Sequence, residues 1–347
     1  MPHMAASDSV STLIELLTPI WQRALHRPSI GADDNFFQLG GDPVAASQIF
    51  EDFAQATGRN IPPFLIYQAP TINSLAGYLS AEPLKPFPPL VMLENGNDQP
   101  PIFVAHGIGS HLMEFFQFAR QMKVSQPIFA LQLPGMEGAT QPLNRVEAMA
   151  DHFLSFIREA QPHGPYCLIG YSFGGLVSLE IARRIKQSGE AVEALILVES
   201  YPPRETIPFF YWLRLVTRLL MKRFSTRIGL IVRGGPDPRE IAAGKLQIND
   251  AKYPAIKRVR ESSFQALRDY KPSFYPGKIF FIRAQVQTTF PSDPRPIWGP
   301  LVEEIVVETL PGDHHKLLES HSNDLAAAIL RYLQNARASL SKEAKKQ

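Results

Sequence analysis

A short motif in the middle of the chain constrains the fold most strongly. Residues 170–174 read Gly-Tyr-Ser-Phe-Gly, which is the pattern G-x-S-x-G; an apolar run at 166–169 precedes it, and helical periodicity follows at 176–185. A sharp turn between a strand and a helix needs small residues on both sides, and it exposes the serine hydroxyl near backbone N–H groups that can bind an oxyanion. Ser172 is therefore the first candidate for a catalytic nucleophile.

Composition excludes several classes of protein. The 347 residues, 45% of them hydrophobic, can form a large core and exceed the usual length of one domain, so we expect two domains. No apolar run is long enough to span a membrane and the first residues lack the order of a signal peptide, so a cytoplasmic location is expected. A net charge of +2 argues against bulk nucleic-acid binding. The single cysteine, Cys167, excludes a disulfide or a cysteine-rich metal site and is interpreted as a core residue.

The first eighty residues have the periodicity of short helices. One helix is predicted over 9–24, a second from Asp42 through Phe53, and a third after Pro70. Prolines then mark a stiff connection, at Pro83, Pro86, Pro88 and Pro89. We therefore predict a small all-α bundle at 1–81 and a linker at 82–98.

The remainder, 99–340, alternates strand-like apolar runs with helical patterns. This alternation predicts an α/β domain with a largely parallel sheet and helices on both faces. A helical insertion at about 203–270 interrupts the alternation and is interpreted as a lid over the active end of the sheet. The strand-like runs are at 101–105, 128–133, 166–169, 194–198, 278–284 and 304–309.

Partners for the serine are expected later in the chain, because in this type of fold the acid and then the histidine follow the nucleophile. His314, in the loop after the last strand, would take the proton from Ser172 and later return it; the adjacent His315 is the weaker candidate. Two positions are open for the acid. Glu199 follows the strand at 194–198, and Asp293 lies in the loop after the next strand; Glu199 is preferred.

Two backbone N–H groups are expected to bind the oxyanion. One belongs to Phe173, directly after the nucleophile, and the other comes from the loop after the first predicted strand of the sheet, with Ile108 as the candidate. His106 in the same loop is interpreted as a hydrogen-bonded loop residue and not as a base.

Residues 33–46 carry a second motif, Asp-Asp-Asn-Phe-Phe-Gln-Leu-Gly-Gly-Asp-Pro-Val-Ala-Ala. It resembles the carrier domains of nonribosomal peptide synthetases, whose signature is roughly D-x-F-F-x-L-G-G-D-S-L. The second domain resembles the thioesterase that follows such carriers. This resemblance implies an α/β-hydrolase fold with a helical lid, preceded by a carrier-like four-helix bundle. It rests on Ile-Phe-Val-Ala-His-Gly at 102–107, the elbow at 170–175, Val-Glu-Ser-Tyr-Pro-Pro at 198–203 and Gly-Asp-His at 312–314.

The resemblance implies a chain-releasing thioesterase of a nonribosomal peptide or hybrid polyketide synthetase. In such enzymes the serine accepts an acyl or peptidyl chain from the 4'-phosphopantetheine of a carrier, and water or a nucleophile within the chain releases an acid, lactone or lactam. Position by position, Ser172 is the nucleophile, His314 the base, and Glu199 the acid where the family usually has aspartate. Ile108 and Phe173 supply the oxyanion hole. The implied partners are upstream synthetase modules or a separate carrier protein.

Two other functions remain open. The first alternative is a stand-alone editing thioesterase that removes stalled acyl groups from carriers supplied by other proteins. A non-catalytic binding or scaffolding protein is the alternative from another class.

One position departs from the carrier signature. Pro43 stands where the family has the serine that receives phosphopantetheine, so this half is predicted to carry no cofactor. The helix should still form, because Asp42 can cap it and proline suits its first turn. Ser47, one helical turn later, is not expected to substitute as the attachment site.

Overall fold

The computed structural model describes residues 9–81, 86–108, 112–203, 253–286 and 293–344. Much of the predicted lid, residues 204–252, lies outside the described residues. Among the described residues, no helix combines the length and the apolar character needed to cross a bilayer.

The first domain is a helical bundle whose helices begin at polar caps. Its described elements are α1 (Val10–Ala24), α2 (Pro43–Thr57), a 3₁₀ helix (Pro63–Tyr67) and α3 (Ile72–Leu79). Ser9 caps α1 by accepting a hydrogen bond from the backbone N–H of Thr12 at 3.2 Å, and Asp42 caps α2 through Ala45 at 2.8 Å. Buried apolar side chains fill the centre, among them Leu13, Leu17, Trp21, Phe36, Phe50 and Phe53. The three predicted α-helices are present, and the fourth helix of the bundle is the 3₁₀ helix.

The second domain is built on a seven-stranded sheet. Its strands are β1 (Leu90–Glu94), β2 (Ile102–Ala105), β3 (Ile128–Leu131), β4 (Tyr166–Tyr171), β5 (Val192–Val198), β6 (Tyr275–Ala284) and β7 (Val302–Leu310). They lie in the order β1-β3-β2-β4-β5-β6-β7, and every neighbouring pair is parallel except β1 with β3. All six strands predicted from the apolar runs are present.

Strand β1 corrects the predicted linker. Residues 90–94 fall inside the predicted connection at 82–98, but they form an antiparallel edge strand, with Leu90 opposite Leu131. Val91 and Leu93 are buried, and the N–H of Gln132 donates to the carbonyl of Pro89 at 2.8 Å. A five-residue edge strand beside prolines has a weak local signal, because its stability comes from pairing with a distant strand.

Helices cover both faces of the sheet. They are α4 (Leu112–Met122), α5 (Val146–Ala160), α6 (Phe173–Gln187), α7 (Pro254–Asp269), α8 (Arg295–Trp298) and α9 (Ser322–Ala344). Apolar residues of α5, α6, α7 and α8 form one core layer, and those of α4 and α9 form the other. Helix α7 falls inside the predicted lid range, and its Val259 and Ala266 pack in the first of these layers. The α/β architecture with two helical layers is therefore as predicted.

Candidate active site

Ser172 lies at the sharp turn between β4 and α6. Its backbone has φ 54° and ψ −123°, in the left-handed half of conformational space that a residue with a side chain rarely adopts. The N–H of Ser172 donates to the carbonyl of Val198 at 2.8 Å, and the N–H of Gly175 donates back to the Ser172 carbonyl at 3.1 Å. The turn is thus held by the neighbouring strand β5 and by the first turn of α6.

The glycines of the motif are required by close backbone contacts. A Cβ atom added to Gly170 would lie 2.3 Å from the Cα of Gly175. One added to Gly174 would lie 2.3 Å from the carbonyl oxygen of Ala105 and 2.6 Å from that of His106. The elbow therefore packs directly on the loop after β2, where the second oxyanion donor is predicted.

Glu199 follows β5 directly and is buried, with 5% of its side chain exposed. One carboxylate oxygen, Oε1, accepts a hydrogen bond from the backbone N–H of Ala284 at 2.7 Å. The other, Oε2, lies 3.4 Å from Nδ1 of His314, at the long end of hydrogen-bond distances. The backbone of Glu199 is also left-handed, with φ 49°, and its N–H donates to the carbonyl of Ile282 at 2.8 Å.

Asp293, the alternative acid, has different described contacts. Its Oδ1 accepts from the backbone N–H of Arg295 at 3.0 Å and pairs with the Arg295 guanidinium at 3.3 Å. Its side chain is 40% exposed. These contacts place Asp293 at the start of α8, whereas the described contacts of Glu199 include His314.

His314 is positioned by Tyr171, which the sequence analysis did not single out. The Tyr171 hydroxyl donates a hydrogen bond to the backbone carbonyl of His314, and the two rings lie 5.0 Å apart. Because Tyr171 directly precedes Ser172, this contact brings the histidine loop to the nucleophile turn. The tyrosine occupies the first variable position of G-x-S-x-G, and that position is the only sequence signal for it. His315 is exposed, with its ring edge-on to His314 at 5.2 Å.

The predicted oxyanion donors belong to adjacent segments. Phe173 is the first residue of α6, where backbone N–H groups have no partner within the helix. Ile108 lies in the loop after β2 that contacts the elbow. Nδ1 of His106 lies 2.9 Å from the Gly107 carbonyl, and burial lowers the pKa of His106, which favours a neutral ring.

A model of the thioesterase domain family matches residues 100–333, which is more than half of the chain. The chain belongs to the thioesterase domain family. Members of this family hydrolyse thioesters, so the protein is an enzyme of that class. A second model, for the phosphopantetheine attachment site, matches residues 15–79, which makes the first domain a carrier domain and implies a substrate carried on phosphopantetheine.

Curated relatives of this thioesterase are synthetases. Indigoidine synthase of Dickeya dadantii (strain 3937) is 36% identical over 185 residues, which cover 53% of this chain and 12% of the synthase. Malpibaldin synthetase of Mortierella alpina is 28% identical over 298 residues, which cover 82% of this chain and 5% of the synthetase. A dimodular nonribosomal peptide synthase of Bacillus subtilis (strain 168) is 26% identical over 78% of this chain and 12% of that protein. The chain thus spans only 5–12% of the length of these relatives.

Solved structures share the fold. The four-domain nonribosomal peptide synthetase AB3403, bound to AMP and glycine, aligns with 95% of this chain and 26% of its own at a TM-score of 0.58 and 21% identity. The thioesterase domain NocB, in covalent complex with a fluorophosphonate nocardicin G analog, aligns with 70% of this chain and 99% of its own at a TM-score of 0.51 and 22% identity. The α/β-hydrolase fold behind a helical carrier domain is confirmed.

Proposed function

We propose that this thioesterase releases an acyl or peptidyl chain from a synthetase through an acyl-enzyme on Ser172. The observation that carries the proposal is the strained turn at Ser172, set beside the pair of Glu199 and His314 at the same edge of the sheet. A serine with a positive φ between a strand and a helix costs free energy, and such strain is found mainly at functional sites.

The first half of the reaction transfers the chain to the enzyme. Glu199 holds the proton of His314 on Nδ1, so that Nε2 carries no proton and can accept the one from the Ser172 hydroxyl. The Ser172 oxygen then attacks the thioester carbonyl, and the tetrahedral oxyanion is bound by the N–H groups of Phe173 and Ile108. The carbon–sulfur bond breaks, and the phosphopantetheine sulfur leaves with the proton from His314.

The second half releases the product. His314 takes a proton from water or from a nucleophile within the bound chain, and that nucleophile attacks the ester on Ser172. The ester bond breaks, Ser172 regains its proton from His314, and the product is an acid or a ring. Hydrolysis and cyclisation use the same residues and differ only in the nucleophile.

The substrate has to arrive from outside this carrier domain. Pro43 has no hydroxyl, so the thioester comes from another carrier, on upstream modules or a separate protein, or from a small thioester. We place the carrier domain at residues 1–81 and begin the thioesterase domain at β1. Pro43 also favours a second function, which is the editing of acyl groups stalled on other carriers. An editing enzyme needs no attachment site of its own.

A fluorophosphonate probe tests the nucleophile without knowledge of the substrate. We expect rapid single labelling of the parent chain, followed by intact mass, and complete loss of labelling in Ser172→Ala. Glu199→Gln should slow the labelling, and Asp293→Asn, at an exposed site, should not. Labelling that persists in Ser172→Ala would place the nucleophile elsewhere.

A further inference from the structure

Aromatic side chains from both domains form one stack. Phe37, from the carrier motif, lies 5.7 Å from the ring of Phe116 in α4, with the planes 17° apart. Tyr67 of the 3₁₀ helix contacts both rings, 4.2 Å from Phe116 and 4.9 Å from Phe37. The carrier domain is therefore seated on the thioesterase through a residue of its own signature.

Polar and apolar contacts extend this stack. The side-chain amide of Gln68 donates to Oε1 of Gln132, which follows β3, at 2.6 Å. Ile256 of α7 is 4% exposed and belongs to the buried core of the carrier domain, against which Met136 also packs. Tyr67 is 9% exposed, and this burial raises the pKa of its hydroxyl. The contact resembles a small protein interface with a packed aromatic centre.

The interface lies at the carboxyl ends of the strands, where Ser172 also lies. Helix α4 follows the loop that holds Ile108, and Gln132 directly follows β3. Ile256 is in the first turn of α7, the helix at the end of the predicted lid range. On the carrier side, the N–H of Gly41 donates to the carbonyl of Phe36 at 2.9 Å, and Phe36 directly precedes Phe37. Gly41 is two residues before Pro43, so the end of α2 where a cofactor arm would attach is joined to the segment that makes the interface.

We propose that Phe116, Gln132 and Ile256 form the docking face for a loaded carrier domain, and that this chain's own unloadable carrier covers that face and competes with the loaded one. The inference rests on the proposed function. The tethered carrier competes at an effective concentration on the order of millimolar, which a short linker supplies. A loaded carrier therefore reaches its full affinity only when the resident domain leaves the docking face.

Binding of a separate carrier tests this competition without requiring turnover. The probe is a stand-alone peptidyl carrier protein with the D-x-F-F-x-L-G-G-D-S signature, loaded with acyl-phosphopantetheine and labelled for fluorescence anisotropy. The receptor is the full chain with Ser172→Ala, which prevents cleavage. Adding Phe37→Ala should tighten binding about tenfold, because it removes the aromatic contact of Phe37 with Phe116 that holds the resident carrier on the docking face.

Matched variants keep the result interpretable. Val10→Ala, at a 41% exposed position of the same domain, should bind like the parent. Gln68→Ala, which deletes only the hydrogen bond to Gln132, should give a smaller gain than Phe37→Ala. Adding Phe116→Ala to Phe37→Ala should abolish the gain, since it removes the centre of the docking face. Unchanged binding in both Phe37→Ala and Gln68→Ala would overturn the proposal, as would a gain that survives Phe116→Ala.

A separate assay distinguishes this inference from the proposed function. The parent chain, with Ser172 intact, is given an acyl thioester of N-acetylcysteamine, a small thiol that requires no docking. Absence of cleavage would count against the proposed function and leave the anisotropy result standing. Cleavage together with equal binding of all variants would overturn the docking proposal alone.

Discussion

At the scale of single residues, the carboxylate of Glu199 is held from two sides. The N–H of Ala284 fixes one oxygen, and the other faces Nδ1 of His314. Glutamate is one methylene longer than the aspartate usual in this family, and the left-handed backbone at Glu199 sets the direction in which the longer side chain leaves the strand.

Glu199→Gln should lower kcat by about a thousandfold on any thioester the enzyme accepts, because an amide no longer holds the working tautomer of His314 or stabilises its charged form. Thermal unfolding should change little. Asp293→Asn is the matched control and should retain activity within about twofold, as expected for an exposed site. The opposite ranking of the two variants would assign the acid to Asp293.

The stability of the fold should depend on the protonation of His106. Burial lowers its pKa, so below pH 6.5 the unfolded chain binds a proton that the folded chain refuses. The contribution of neutral His106 to the free energy of unfolding is therefore complete above pH 6.5, and it is lost as the pH falls below that value. His106→Gln should flatten the decline of Tm between about pH 8 and about pH 5. Parallel curves for the two proteins would contradict this assignment.

The site could be predicted in part from the sequence. Ser172 and His314 are indicated by the motif and by chain order, and Glu199 by resemblance to the family. Tyr171 and the N–H of Ala284 carry no such signal, because their partners lie 143 and 85 residues away and are reached only through the folded sheet.

At the scale of helices and strands, a buried ionic group links the nucleophile helix to its neighbours. Glu180 of α6 is 2% exposed and pairs with Arg183 at 2.7 Å and with Arg184. It also accepts from the Tyr270 hydroxyl, at the end of α7, at 3.1 Å. Arg184 continues to Asp151 of α5 at 2.7 Å. The helix that carries Ser172 is thereby fixed to α5 and α7.

Removing this link should cost stability. Glu180→Gln should lower the free energy of unfolding by about 3 kcal/mol, since it removes the buried carboxylate charge that pairs with Arg183 and Arg184, and of the two only Arg184 keeps a described ion pair, with Asp151. Tyr270→Phe should lower it by about 1.5 kcal/mol, the usual value of a hydrogen bond to a charged group. Arg268→Ala, at an exposed pair, should change it by less than about 0.5 kcal/mol. Chemical denaturation measures all three, and equal losses would show that burial of Glu180 is not the cause.

The elements differ in how well the sequence predicts them. The parallel strands are fully buried apolar runs, such as β2 and β4, and periodicity is sufficient to find them. Strand β1 alternates buried and exposed residues over only five positions, and its register depends on β3. Pairing of this kind is decided by tertiary contacts.

At the scale of the whole molecule, a carrier domain with Pro43 at the position of the signature's serine packs on a thioesterase whose substrate is carried on phosphopantetheine. Sequence patterns predicted both domains, and the inability of this carrier to be loaded stays a prediction. They could not predict the contact of Phe37 with Phe116, because no sequence pattern indicates which distant aromatic residue another one will contact.

Pro43→Ser should restore loading. Residues Asp42 and Val44 on either side are exposed, the latter at 75%, so the end of α2 is accessible to a modifying enzyme. With a broad-specificity phosphopantetheinyl transferase and coenzyme A, the variant should gain one phosphopantetheine group by intact mass. The parent chain should gain none. Modification of the parent, mapped to Ser47 or another hydroxyl, would refute the view that this carrier cannot be loaded.

The most direct test of the central claim is to trap the acyl-enzyme. The parent chain and Ser172→Ala are each mixed with a separate, acyl-loaded carrier, quenched in acid within the first turnover, and measured by intact mass and peptide mapping. We expect the parent to gain the mass of the acyl group on the peptide containing Ser172, and the alanine variant to gain nothing and leave the carrier loaded. Release of the acyl group by Ser172→Ala at the parent's rate would contradict it.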